Sequence, residues 1–275
     1  MKTLVITGIT SGIGKALFYD LAKQNHRLIG LGRNEAKLSE IKRDLKAYNI
    51  ETVLGDLADF KALKGAVQKI KTLCPQGIDV LINNAAIVPS KKMMTTDGFE
   101  MQYQVNHLSV VYLTEALLPL LTKKAGRIIT TASNAHKRAK FNHSDIDATK
   151  RYHPLRSYMR TKLYNIMYTN YLNQNLLKDK PVHAYAVHPG LVKTEIGTKS
   201  ASKLHAFVWR LFTKRGITPE AALSSYKRLI DEKTSPKALY YYKAQPENYK
   251  SSIDDVANLE ALYEKTRLDL NPFRD

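Results

Sequence analysis

Thr3-Leu4-Val5-Ile6-Thr7-Gly8-Ile9-Thr10-Ser11-Gly12-Ile13-Gly14-Lys15 stands at the start of the chain, and its reading decides the fold. The apolar run Leu4-Val5-Ile6 predicts a buried strand ending in a glycine turn at Gly8. Past Gly14, Lys15-Ala16-Leu17-Phe18-Tyr19-Asp20-Leu21-Ala22 spaces its apolar residues as a helix does. Strand, glycine turn and helix form the first unit of a dinucleotide-binding βαβ. Its glycines let the backbone approach a pyrophosphate seated on the positive end of the helix. The spacing is Gly-x3-Gly-x-Gly instead of the common G-x-G-x-x-G, and Ala16 after Lys15 excludes a mononucleotide phosphate loop. Gly8, Thr10, Ser11, Gly12, Ile13 and Gly14 are the expected cofactor cradle.

Outward from this unit, Arg27-Leu28-Ile29-Gly30-Leu31-Gly32-Arg33 reads as a second strand that ends without an acid. An Asp or Glu there would bind the ribose 2′-hydroxyl of NAD, whereas Arg accommodates the 2′-phosphate of NADP. Gly32 is expected to leave room and Arg33 to supply charge, so the cofactor expected is NADP(H). A third strand, Thr52-Val53-Leu54-Gly55, leads to Asp56-Leu57 beside the adenine, and a fourth, Asp79-Val80-Leu81-Ile82, leads to Asn83-Asn84-Ala85-Ala86. Arg127 to Thr131, Val182 to Val187 and Ala238 to Tyr242 continue the strands. A long helix from about Gly98 to Lys123 and a last one from Asp254 to Leu268 alternate with them. This alternation predicts one α/β domain over residues 1–275, a doubly wound parallel sheet with helices on both faces.

The chemistry centres on Tyr158-Met159-Arg160-Thr161-Lys162, preceded by Ser133. Tyr and Lys four apart share one helix face. A phenol ionises near pH 10, and a neighbouring ammonium is expected to pull that toward neutrality, making Tyr158 a general acid/base. Ser133, at the carboxyl end of a strand, is placed to hydrogen-bond a substrate oxygen.

These segments in this order resemble the short-chain dehydrogenase/reductase family: Thr7-Gly8-x-x-x-Gly12-x-Gly14, Asn83-Asn84-Ala85-Ala86, Asn106, Ser133, Tyr158-x-x-x-Lys162 and Pro189-Gly190. Gln104-Val105-Asn106-His107-Leu108, Ala135-His136-Lys137 and Tyr158 through Asn165 are similar to its retinol-dehydrogenase-like branch. Two departures stand out. Ala86 replaces the last glycine of the usual Asn-Asn-Ala-Gly, and 24 residues separate Ser133 from Tyr158, an insert that holds Asp145-Ile146-Asp147. The resemblance implies a single-domain Rossmann fold and a catalytic tetrad of Asn106, Ser133, Tyr158 and Lys162. Tyr158 would exchange a proton with the substrate oxygen, Lys162 would hold the nicotinamide ribose, and the Asn106 side chain would hold a water linking Lys162 to solvent. Asn84, Ala85, Pro189, Gly190, Val192 and Thr194 join the cofactor contacts, together with Arg33, Asp56, Leu57, Tyr158 and Lys162. It also implies a substrate lid at about residues 191–215, where Leu204, Phe207, Val208, Trp209, Leu211 and Phe212 suit a lipophilic carbonyl or alcohol. The same apolar and basic mixture suits a helix lying on a membrane surface. A non-catalytic NADP(H)-sensing binding protein of this fold is the alternative, although a sensor has no need of Tyr158.

Composition sets further bounds. No run of roughly 18 or more apolar residues exists, so no membrane span is expected. A first strand entered by residue 3 leaves no place for a signal peptide. Cys74 is the single cysteine, which agrees with a reducing, cytoplasmic location, and no Cys/His grouping has metal-ligand spacing. The formal charge is +18. Between Lys123 and Lys162, 11 lysines and arginines face two acids. No nucleic-acid recognition motif accompanies this excess. A solvated basic surface is expected, with peripheral attraction to anionic membranes and a homo-oligomer as the remaining partner expectations.

Overall fold

The computed structural model describes residues 1–147, 149–150, 152–192, 216–232 and 238–274. Short apolar runs become the strands β1 (Thr3–Thr7), β2 (Arg27–Gly32), β3 (Ile50–Leu54), β4 (Val80–Asn83), β5 (Arg127–Thr131), β6 (His183–His188), β7 (Tyr240–Tyr242) and β8 (Gln245–Pro246). They form one sheet in the order β3-β2-β1-β4-β5-β6-β7-β8. Every neighbouring pair is parallel except β7 with β8. The chain winds outward from β1 to β3, then returns to β4 on the other side of β1. The crevice beside β1 and β4 is therefore the switch point where ligands of such sheets bind.

Alternation along each strand divides the core in two. Val5 joins α3 (Phe60–Leu73), α4 (Met101–Thr122), α5 (Pro154–Tyr171) and α7 (Val256–Leu270) on one face. Leu4 and Ile6 join α1 (Gly12–Ala22), α2 (Glu35–Asp44) and α6 (Ser224–Asp231) on the other. Both faces are covered, so the central strands read as continuous apolar runs. Helix starts follow local capping: Asn34 accepts from Lys37 N, Asp59 from Ala62 N and Asp255 from Asn258 N.

The long helix starts later than Gly98, which adopts a left-handed φ of +88°. Glu100 instead caps α4 by accepting from the backbone N–H groups of Gln102 and Tyr103. In length and composition α4 would suffice to cross a membrane, a feature the absence of a long apolar run did not foretell. However, 72% of its apolar window is buried in the protein, as expected of a core helix. Cys74 is buried and its thiol is pushed up to about 11 by that burial.

Candidate active site

The nucleotide end is built on close backbone contact. Gly8 (φ +76°) and Gly12 (φ +58°) take left-handed conformations that disfavour a side chain. A Cβ on Gly14 would lie 2.3 Å from Gly8 O and 2.5 Å from Asn84 Nδ2. Asn84 donates from Nδ2 to Thr7 O at 3.0 Å, while Thr7 Oγ1 accepts from Asn84 N and Ala85 N, each at 3.0 Å. The Thr7 hydroxyl thus joins the β1 and β4 turns, a role invisible in the glycine pattern. Ala86 takes no left-handed φ, so its methyl replaces glycine without conformational cost. The first turn of α1 carries no acid, which leaves its positive end suited to an anion.

Gly32 serves another purpose than the one expected. A Cβ there would meet Thr10 Cγ2 at 2.8 Å and Leu38 Cδ2 at 3.1 Å, so the space is taken by Thr10 and Leu38 and is not room for a cofactor. Arg33 follows as an exposed residue at the carboxyl end of β2. It lies near the glycine turn, whose Gly8 N bonds Leu31 O at 2.8 Å. Asp56 and Leu57 leave β3 at the same edge, with Asp56 Oδ1 accepting from Ala58 N at 3.0 Å. On the other side of the switch point, Gly190 (φ +92°) turns after Pro189, and Val192 forms an isolated bridge with Ile217. Thr194 and the expected lid from 193 to 215 lie outside the described residues.

Ser133, Tyr158 and Lys162 meet beyond the carboxyl end of β5. Ser133 Oγ accepts from Ala135 N at 3.2 Å, and the Ser133 side chain is close enough to the Tyr158 hydroxyl to ease its ionisation. Lys162 is only 2% exposed. Its Nζ donates to Thr131 O at 2.7 Å and sits 5.6 Å from the centroid of the Tyr158 ring. The protonation states differ from expectation. Burial pushes the Tyr158 phenol above its usual value, against the opposing influence of Ser133. Burial also brings Lys162 down to about 7, so the ammonium does not pull the phenol toward neutrality. Desolvation outweighs attraction here, and Tyr158 stands ready as a proton donor.

Lys162 therefore carries a pH signature in stability. The unfolded lysine, near 10.5, binds a proton that the folded one releases above about 7. Stability then rises with pH across that window. Lys162→Met should raise the melting temperature at about pH 6 and raise it much less at about pH 10. An equal shift at both pH values in a thermal scan would refute the buried-lysine assignment.

Asn106 is fully buried in a wide π-helical turn, Gln104–Leu108, within α4. Its side chain engages the backbone of Ile87. Oδ1 accepts from Ile87 N at 2.8 Å and Nδ2 donates to Ile87 O at 3.0 Å, with Thr161 Oγ1 3.3 Å away. Asn106 thus ties the Asn83–Ala86 turn to α4 and α5. The insert before Tyr158 is pinned by a buried ion pair: Arg160 donates to Asp145 Oδ2 at 2.9 Å, and both side chains are under 8% exposed. Lys150 N donates to Asp145 Oδ1 at 2.9 Å. Burial alone would raise the Asp145 carboxyl, but these bonds hold it below its usual range. Tyr164, which accepts from Arg160 Nε and donates to Ile146 O, completes the anchor.

The short chain dehydrogenase pattern matches residues 2–205. Retinol dehydrogenase 12 of Mus musculus is 36% identical over 217 residues, covering 77% of this chain and 67% of the relative. Retinol dehydrogenase 13 of Homo sapiens is 30% identical over 256 residues, covering 87% and 76%. The crystal structure of an uncharacterized protein from Mycobacterium paratuberculosis superposes with a TM-score of 0.74 at 28% identity, over 98% of this chain and 93% of the other.

Proposed function

The chain belongs to the short-chain dehydrogenase/reductase family, in its retinol-dehydrogenase-like branch, and we propose that it is an NADP(H)-dependent oxidoreductase acting on lipophilic carbonyls and alcohols. The observation that carries this reading is the gathering of Ser133, Tyr158 and Lys162 beside the Gly8–Gly14 cradle at one edge of the sheet. That cradle suits a dinucleotide: left-handed glycines, an acid-free helix start and the exposed Arg33 form a surface for phosphates. Gly8, Thr10, Ser11, Gly12, Ile13 and Gly14 would hold the pyrophosphate. Arg33 would meet the 2′-phosphate, and Asn84, Ala85, Pro189, Gly190, Val192 and Thr194 the remainder.

A bound nicotinamide supplies or accepts the hydride. In carbonyl reduction the Tyr158 hydroxyl gives its proton to the substrate oxygen, and Ser133 Oγ holds that oxygen in line. Lys162, anchored on Thr131 O, fixes a donor next to the phenol, and Asn106 supports the neighbouring turn. Lipophilic substrates are supported by the retinol named for the relatives and by the apolar residues between Leu204 and Phe212. The basic excess supports peripheral contact with anionic membranes, where such substrates collect. An aldehyde and ketone series assayed with NADPH tests the reading: kcat/KM should rise with apolar length. A preference for small polar carbonyls would refute the lipophilic assignment.

Coenzyme choice gives a separate prediction. Arg33→Ala should weaken NADPH binding by about 1.5–3 kcal/mol, the range for a hydrogen bond to a charged group, and leave NADH nearly unchanged. Gly32→Asp is a poor alternative, because its side chain would strike Thr10. Fluorescence titration decides the matter; equal wild-type affinity for the two coenzymes would remove the role of Arg33.

A further inference from the structure

His136 is fully buried one short turn beyond Ser133 and takes no part in the proton path described above. Its backbone N–H and its ring Nδ1 both reach the Ser133 carbonyl, at 3.1 and 2.7 Å. On the far side of the ring, Nε2 faces the backbone N–H of Lys250 at 3.3 Å. Both partners have fixed roles, since a carbonyl only accepts and a peptide N–H only donates. Together they select one form of the ring, neutral with its proton on Nδ1. Lys250 adds a second tie by donating from Nζ to Ala139 O, and Tyr240 of β7 meets the imidazole edge-on, with centroids 5.2 Å apart.

The consequence lies at Ser133. It leaves β5 in an extended conformation (φ −161°, ψ 149°), and its Oγ is held by Ala135 N. The hydroxyl and the carbonyl of one residue are thus secured by different partners. Releasing the carbonyl frees the peptide to rotate and carries Oγ off the Tyr158 hydroxyl. We propose that His136, with its proton on Nδ1, is a positioning residue for the proton-transfer pair, holding the Ser133 carbonyl and tying the serine turn to the chain at Lys250. A second proton would sit on Nε2 opposite the Lys250 N–H and replace that bond with a conflict of two donors. Burial opposes this charge most, and the ammonium groups of Lys137 and Lys250 oppose it as well. Glu247, the acid on this side, is paired with Lys137 at 3.2 Å, and Tyr240 contributes an apolar ring edge. The ring therefore stays neutral, with its proton on Nδ1, until acid pH.

The inference rests on the oxidoreductase reading, and three variants with one spectrum separate the two. H136N keeps a donor at the Nδ1 position and loses the acceptor for Lys250. H136Q keeps an acceptor farther out and loses the donor to Ser133, and H136L lacks both. H136L and H136Q should lose kcat by about 10²-fold, the scale of a small misplacement in an active site, with coenzyme affinity and substrate KM nearly unchanged. H136N should recover most of the lost kcat. In the wild type, long-range proton–nitrogen NMR of His136 at neutral pH should place the proton on Nδ1. H136L with wild-type kcat, H136N as impaired as H136L, or a proton found on Nε2 overturns the proposal. A wild type that binds coenzyme but turns over no carbonyl would sink the oxidoreductase reading, and the NMR spectrum would still decide the clamp.

Discussion

Tyr158→Phe should lose turnover by about 10²–10⁴-fold, the contribution of a positioned general acid, while coenzyme affinity stays nearly constant. The ring is retained and only the transferable proton is removed, so the loss belongs in kcat. The burial that keeps the phenol protonated suits it to donate a proton. A donor held above its usual ionisation range is prepared for carbonyl reduction, and oxidation has to wait for phenolate at higher pH. Steady-state rates in both directions, measured for wild type and variant, check both statements. Turnover in Tyr158→Phe within a few-fold of wild type would remove Tyr158 from the mechanism.

Arg160→Met should destabilise the fold by about 3–5 kcal/mol, because it strands the Asp145 carboxylate in a site where that side chain is only 6% exposed. A methionine fills most of the volume of the arginine stem, so the loss is electrostatic and not a cavity effect. The pair Asp145→Asn with Arg160→Met removes both charges and keeps an acceptor for Lys150 N. It should recover most of the loss, since replacing a whole buried pair costs far less than breaking one. Denaturant titration supplies the comparison. A double variant as unstable as the single one would mean that packing, not charge, anchors the insert on α5.

The strands were legible because buried parallel strands leave plain apolar runs, such as Leu4-Val5-Ile6 and Ile128-Ile129. β3 was less so. It begins at Ile50, two residues before the expected start, and at this half-exposed edge the polar Glu51-Thr52 interrupts the apolar run. The start of α4 depended on Glu100 reaching two backbone N–H groups, a contact that spacing alone does not announce.

Of the candidate site, the Tyr158 and Lys162 spacing and the glycine turn could be read directly, because each is local to one element. What escaped was set by pairs distant in sequence. Asn106 binds Ile87 across 19 residues, and His136 meets Lys250 across 114. Gly32 was expected to leave room beside the cofactor, but Thr10 and Leu38 fill the space next to it. The lowering of Lys162 follows from its burial, which no spacing rule contains, and the burial of Tyr158 itself pushes the phenol the other way from the expectation.

The central claim is hydride transfer between a nicotinamide and a lipophilic carbonyl, with Tyr158 completing the proton balance. Its most direct measurement uses NADPH deuterated at the transferable position of the nicotinamide, incubated with the wild-type protein and a long-chain aldehyde. Mass spectrometry should find one deuterium on the carbinol carbon of the alcohol formed, and Tyr158→Phe should form that product far more slowly. Tight coenzyme binding with no labelled alcohol from any aldehyde or ketone supplied would contradict the account and leave a coenzyme-sensing binding protein in its place.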